Sequence, residues 1–147
     1  NTDVVGFEQT LAPFLKPHHQ KALILGTGGA SAAVEWVLRK RGITYQYVSR
    51  TASATTISYE QIDQATMESH TLVINTTPLG MYPNIDACPN LPYQFMNEQH
   101  HLFDLVYNPE ETQFLAKGKA RGASIQNGWE MLILQAEESW RIWNEAI

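Results

Sequence analysis

The sequence predicts a doubly wound α/β fold, a mostly parallel sheet with helices on both faces. Three observations carry that prediction. Short apolar or β-branched runs at Ala22–Leu25, Thr44–Ser49, Thr71–Thr76, His101–Tyr107 and Ser124–Gln126 alternate with helical patterns. Such alternation implies right-handed βαβ units and a sheet covered on both sides. The first run passes directly into Gly26, Gly28 and Gly29 and then into the small residues Ala30–Ala33, a strand–glycine turn–helix sequence. The polar clusters Ser49-Arg50-Thr51 and Asn75-Thr76-Thr77 and the Tyr107 region fall at the carboxyl ends of strands, where open α/β sheets bind ligands.

Taken in order, Val4, Phe7, Leu11 and Phe14 share one helical face. Thr2 or Asp3 is placed to cap that helix, and Pro13 and Pro17 mark its end. The helix after the glycine turn spans about Gly29–Arg41, buries Ala33, Val34, Val37 and Leu38, and stops at Gly42. Residues Thr51–Thr56 read as a polar loop and Ser58–Ala65 as a short helix or turn. The proline-bearing segment Pro78–Pro92 reads as irregular, and Tyr93–Glu98 as a helical turn. A helix at Glu110–Arg121 has acidic Glu110 and Glu111 in its first turn and Lys117, Lys119 and Arg121 in its last, matching the helix dipole, and ends at Gly122. A long helix closes the chain from Gly128 to Ala146, with Met131, Leu132, Gln135, Ser139 and Ile142 along one side. Trp36, Trp129, Trp140 and Trp143 read as packing groups, and the five histidines as surface residues without metal-ligand spacing to Cys88.

With 147 residues, 44% of them hydrophobic and 17% charged, the chain is long and apolar enough for one domain with a core. A net charge of −5 without a basic run argues against nucleic acid and against an anionic membrane surface. The single cysteine, Cys88, permits no internal disulfide, which fits a cytoplasmic protein. No apolar stretch has the length of a membrane span, and none reads as a signal peptide. The opening Asn1-Thr2-Asp3, without a methionine, reads as the start of a fragment of a longer protein.

The chemistry starts at the glycine turn. Gly26 permits a tight turn, and Gly28 and Gly29 let the backbone approach a pyrophosphate, while the free N–H groups of the new helix favour the anion. This is a Rossmann-like dinucleotide fingerprint, with Ser31 standing where the third glycine would be. The second strand ends in Ser49-Arg50-Thr51 instead of the acidic residue that accepts from the ribose 2′-hydroxyl of NAD. A guanidinium and two hydroxyls suit the 2′-phosphate of NADP.

These motifs together resemble the cofactor-binding half of the shikimate dehydrogenase family. Asn1-Thr2-Asp3 with Gly6-Phe7 resembles the family's NTD-x-x-GF signature, Gly26–Ser31 its GAGGAS turn, and Ser49-Arg50-Thr51 its NRT motif. Asn75–Met81 resembles the NxTxxGM loop. Asp104–Pro109 with Thr112, Phe114 and Leu115 resembles the D-x-x-Y-x-P…T-x-FL segment. Gly128, Met131, Leu132 and Gln135 resemble the final G-x-x-ML-x-x-Q helix. Two positions depart from the pattern: Ser49 replaces the usual Asn, and Ala32 replaces a frequent Arg or Lys.

The resemblance implies an NADP-binding domain over residues 1–147, with the substrate domain upstream and the 128–147 helix packing toward it. It implies reversible NADPH-dependent reduction of 3-dehydroshikimate to shikimate, on the route to chorismate and the aromatic amino acids. The isolated chain is then inactive, because the catalytic lysine lies upstream. Asp3 becomes that lysine's carboxylate partner, and Asn1, Asp3, Tyr107 and Gln135 become substrate-binding. Gly26, Thr27, Gly28, Gly29, Ala30, Ser31, Ser49, Arg50, Thr51, Asn75, Thr76 and Thr77 become cofactor-binding. Leu105, Gly128 and Met131 are assigned near the nicotinamide, Gly128 for close backbone approach; Leu105 and Met131 read equally well as plain core. The expected partners are shikimate or 3-dehydroshikimate, no nucleic acid and no membrane, in a monomer or homodimer. The alternatives are an NAD-dependent quinate/shikimate dehydrogenase and a non-catalytic dinucleotide-binding regulatory module.

Overall fold

The computed structural model describes residues 1–146; Ile147, the last residue of the expected domain, lies outside the described residues. Six strands form one sheet: β1 (Lys21–Leu25), β2 (Thr44–Ser49), β3 (Thr56–Ser58), β4 (Leu72–Asn75), β5 (His101–Asp104) and β6 (Ser124–Gln126). Their order is β3-β2-β1-β4-β5-β6, with every pairing parallel. This is the doubly wound Rossmann order, which reverses direction between β1 and β4. The helices are α1 (Thr2–Leu11), α2 (Gly29–Lys40), α3 (Gln64–Ser69), α4 (Gln113–Lys119) and α5 (Trp129–Ala146).

Alternation along the strands divides the core in two. Ile24 and Phe103 face Phe7, Leu11, Val34 and Leu38, beneath α1 and α2. Leu23, Leu25, Val73 and Leu102 face Met67, Phe114 and Leu115, beneath α3 and α4. The Phe7 and Phe103 rings meet at 5.1 Å between centroids, fixing α1 on the sheet. Glycines at positive φ close two helices, Gly42 (φ 71°) after α2 and Gly122 (φ 91°) after α4.

Several expectations change. α1 is capped by neither Thr2 nor Asp3: the Asn1 side chain accepts from the Asp3 N–H at 2.8 Å. The polar segment after β2 leads into a strand, β3, which the sequence reading gave to loop and turn. β3 gains its identity from pairing with Tyr47–Ser49, a partner that the local sequence does not reveal. α4 starts at Gln113 with Thr112 as its cap, so Glu110 and Glu111 lie in the preceding loop, not in the first turn. β5 stops at Asp104, leaving Tyr107 beyond the strand.

The tryptophans are not buried packing groups: Trp36, Trp129, Trp140 and Trp143 are 53–68% exposed. Nor are all histidines on the surface. His19, His100 and His101 are buried at the amino-terminal edge of the sheet, where each ring nitrogen has a partner. His101 reaches Ser124 Oγ (2.7 Å) and Gln126 Oε1 (2.6 Å) and stacks on Phe14.

Candidate functional site

The expected site residues follow the carboxyl ends of the strands, because parallel pairing sets those ends side by side. The register places Leu25 of β1 between Val48 of β2 and Asn75 of β4. Gly26, next in the chain, turns at φ 97° and donates its N–H to the Val48 carbonyl at 2.9 Å. A Cβ there would stand 2.8 Å from both Thr76 Oγ1 and Thr77 Cγ2, so glycine is required twice over, by conformation and by space.

Gly28 and Gly29 are a different case. A Cβ on either would meet no protein atom within 4 Å, and neither has a positive φ. The chain itself gives no packing reason for glycine at these positions; a ligand pressed against the turn does. Gly28 precedes α2 without any side-chain cap, which leaves first-turn N–H groups for an anion. The residues present therefore fit a dinucleotide's pyrophosphate. Ser31 does not join the exposed turn: it is buried, and its hydroxyl donates to the Gly28 carbonyl at 2.5 Å, so it braces the turn from inside. Ala30 is half-buried and Thr27 exposed.

Beside the turn opens a cleft of about 410 Å³ lined by Gly26, Thr27, Ser49, Arg50, Tyr59, Thr77, Pro78 and Leu79. It gathers parts of three of the expected motifs. Arg50 is exposed and, among the described residues, has no carboxylate within ion-pair distance. Ser49 is less free, since its hydroxyl donates to the Thr51 carbonyl at 2.7 Å. Tyr59 was missed by the sequence reading; the only signal for it was an aromatic residue following the short β3, itself unrecognised.

Asn75, an expected cofactor residue, does not line the cleft. Its side chain is fully buried. Asn75 Nδ2 donates to Asp104 Oδ1 (3.1 Å), and its Oδ1 accepts from the Thr77 N–H (3.1 Å) and hydroxyl (2.6 Å). Asp104 also accepts from the Val106 N–H (3.0 Å) and the Thr112 hydroxyl (2.6 Å). Burial pushes the Asp104 carboxyl up to about 6, opposed by these donors. The network ties the ends of β4 and β5 to the start of α4 and shapes the loop that carries Thr76 and Thr77. Thr76 is similarly engaged, donating its hydroxyl to the Leu25 carbonyl at 2.6 Å.

Gly128 serves the fold directly: a Cβ would lie 2.0 Å from the Leu105 carbonyl oxygen. The Leu105 backbone by itself requires glycine there. Met131 is buried in the core under α1, with Leu105 packed against the same cluster. Tyr107 is exposed and lies against Trp129, 5.7 Å between ring centroids.

Asp3 and Gln135 come together from opposite ends of the chain. Gln135 Nε2 donates to Asp3 Oδ1 where α1 crosses α5. Gly6 makes the crossing possible, since a Cβ there would sit 2.8 Å from Gln135 Cγ and from the Met131 carbonyl oxygen. Asn1 and Asp3 also line a groove of about 680 Å³ between α1 and α2 that extends to Gly29. The Asp3 carboxylate thus shares a groove with Gly29 of the glycine turn, while Arg50 lines the separate cleft.

No protein-family model matches the chain. A curated NADP+ shikimate dehydrogenase of Desulforamulus reducens is 33% identical over 163 aligned residues, covering 97% of this chain and 56% of that protein. This chain is a relative of the shikimate dehydrogenases. Its residues correspond to their C-terminal NADP-binding half, and it spans little more than half the length of the curated relatives it matches. The Thermus thermophilus shikimate 5-dehydrogenase, solved with NADP(H) and shikimate, superposes with a TM-score of 0.81 at 32% identity, over 97% of this chain and 56% of that one. A Corynebacterium glutamicum quinate dehydrogenase, solved with NAD, superposes equally well (0.81) at 25% identity, covering 96% of this chain and 56% of that chain. Each likeness covers 96% or more of this chain, so the fold is shared over nearly all of it.

Proposed function

We propose that this chain is the NADP(H)-binding domain of a shikimate dehydrogenase, which with an upstream substrate domain reduces 3-dehydroshikimate to shikimate and catalyses the reverse. The observation that carries the reading is Arg50 at the mouth of the cleft, unpaired among the described residues, where a carboxylate would stand in an NAD site. It is supported by the open glycine turn and the uncapped start of α2.

Bound along this edge, NADPH would supply the hydride. The rest of the task falls to side chains. Gly28 and Gly29 would admit the pyrophosphate to the N–H groups of α2, and Arg50 would pair with the 2′-phosphate. As the substrate carbonyl takes hydride, its oxygen gains negative charge and needs a proton. The upstream lysine would give that proton from its ammonium nitrogen. The Asp3 carboxylate would orient the lysine and accept from a substrate hydroxyl, itself held by Gln135. Tyr107 and Asn1 would complete the substrate contacts.

In this reading the protein works in the cytoplasm as a monomer or homodimer, its small-molecule partners shikimate and 3-dehydroshikimate. Among the described residues no helix is long and apolar enough to cross a membrane. α5, with Ile133, Trp140, Ile142 and Trp143 exposed, would pack toward the substrate domain.

A second reading, an NAD-using quinate/shikimate dehydrogenase, is favoured by one observation: the Ser49 hydroxyl is already spent on the Thr51 carbonyl, so one donor to a 2′-phosphate is lost. Calorimetry of the chain with NADPH and NADH decides between them. Preferential binding of NADPH, with no turnover of shikimate until the substrate domain is present, supports the first reading. Equal or preferential binding of NADH overturns it.

A further inference from the structure

Parallel neighbours in a sheet are normally joined by a dozen or more residues, usually with a helix. Here β2 ends at Ser49 and β3 begins at Thr56, so the crossover is only residues 50–55. A connection this short has no helix to hold it against the sheet, yet it carries Arg50. What holds it is Ser53. The Ser53 N–H donates to the Thr56 carbonyl at 2.9 Å. Its hydroxyl oxygen accepts from the N–H groups of Thr55 and Thr56, both at 3.2 Å, and shares a hydrogen bond with Thr56 Oγ1 at 2.8 Å. The loop is sewn a second time at the Thr51 carbonyl, which accepts from Ser49 Oγ (2.7 Å) on the β2 side and from Thr56 Oγ1 (3.4 Å) on the β3 side.

The residues on both sides of Arg50 are therefore fixed, while its guanidinium is in no ion pair among the described residues. The hydrogen bonds of Ser53 all lie within the crossover and the first residue of β3, and none reaches the core. Their effect is confined to the path of this one loop.

We propose that Ser53 is a positioning residue for cofactor choice: by closing the Arg50–Thr55 crossover it holds Arg50 at the cleft, ready for the phosphate on a dinucleotide's adenosine ribose. This rests on the NADP reading above. A loop already ordered loses less freedom when a phosphate binds, so removing its latch weakens the phosphate-bearing dinucleotide selectively.

The experiment measures dissociation constants of NADP+ and NAD+ for the wild-type chain, Arg50→Ala, Ser53→Ala and Ser53→Asn, with thermal melts of each. Ser53→Ala is expected to weaken NADP+ about fivefold to twentyfold, the scale of one or two lost hydrogen bonds, and to change NAD+ less than about twofold. Ser53→Asn, whose amide oxygen accepts from the same loop N–H groups, is expected to restore most of the preference. Equal weakening of both cofactors, or an unchanged ratio in Ser53→Ala, overturns the proposal. A wild-type chain without NADP+ preference, or an Arg50→Ala variant that keeps one, overturns the underlying reading instead.

Discussion

Gln135 on α5 donates a hydrogen bond to the carboxylate of Asp3 on α1, joining residues 132 positions apart in sequence. Because Asn1 caps α1, Asp3 is released from the capping task that its position invites. In a protein that carries the proposed substrate domain as well as this chain, Asp3→Asn keeps an oxygen for Gln135 and leaves the cap intact. Melting temperature should hardly move, and neither should NADPH affinity. Turnover should fall by about a hundredfold or more, as on losing acid–base assistance. Steady-state assays beside a thermal melt check this, and unchanged turnover returns Asp3 to a purely structural role.

Arg50→Ala should weaken NADP+ by roughly tenfold to a hundredfold, the worth of a charge-assisted contact to phosphate of about 1.5–3 kcal/mol. NAD+ should be affected far less. Titration of both cofactors into the variant tests it; an equal loss would remove Arg50 from the 2′-phosphate.

The glycines divide by what surrounds them. Gly28→Ala and Gly29→Ala meet no protein atom and should fold with wild-type stability, yet weaken NADP+ by about tenfold or more, since the methyl occupies the approach to the turn. Gly128→Ala drives a methyl into the Leu105 carbonyl and should destabilise the fold by about 1–3 kcal/mol or more. Denaturant melts of the three variants, paired with binding isotherms, would show stability and affinity losses on opposite members of the set. Wild-type stability in Gly128→Ala would contradict the close packing of α5 on the strand end.

Acid should loosen the amino-terminal edge of the sheet. Burial holds His101 down to about 4, and holds His19, His70 and His100 below the ordinary histidine value. Between the ordinary value of about 6.5 and these folded values, the unfolded chain takes up protons that the folded chain refuses. The stability is fully present above pH 6.5 and is lost as pH falls toward 4, by about 3 kcal/mol for His101 alone. Asp104, pushed up to about 6, runs the other way: the folded chain keeps its proton between pH 6 and the ordinary carboxyl range, which offsets part of the loss. Melts at pH 7 and pH 5 should show a net fall in Tm of several degrees, and His101→Asn should flatten it. A pH-independent Tm in the parent chain would refute this.

The alternation of five of the six strands with helices, the glycine turn and Arg50 at a strand end were legible in the sequence. They depend on runs of neighbouring residues: apolar strands such as Ala22–Leu25, the periodicity of Val34, Val37 and Leu38, and glycines at fixed offsets. What was not legible depends on partners distant along the chain. β3 exists because Thr56–Ser58 finds Tyr47–Ser49. His101 is interior because Ser124, Gln126 and Phe14 close around it. Asn75 reads as a ligand contact until Asp104, 29 residues later, turns it inward. Gly128 requires the Leu105 backbone to explain it, and Asp3 requires Gln135. The sequence by itself determined which local conformations form and which chemical groups are carried at the strand ends. The tertiary structure alone decided which of those groups face the cleft and which are consumed bracing it, because a buried polar group must find a partner wherever the fold supplies one.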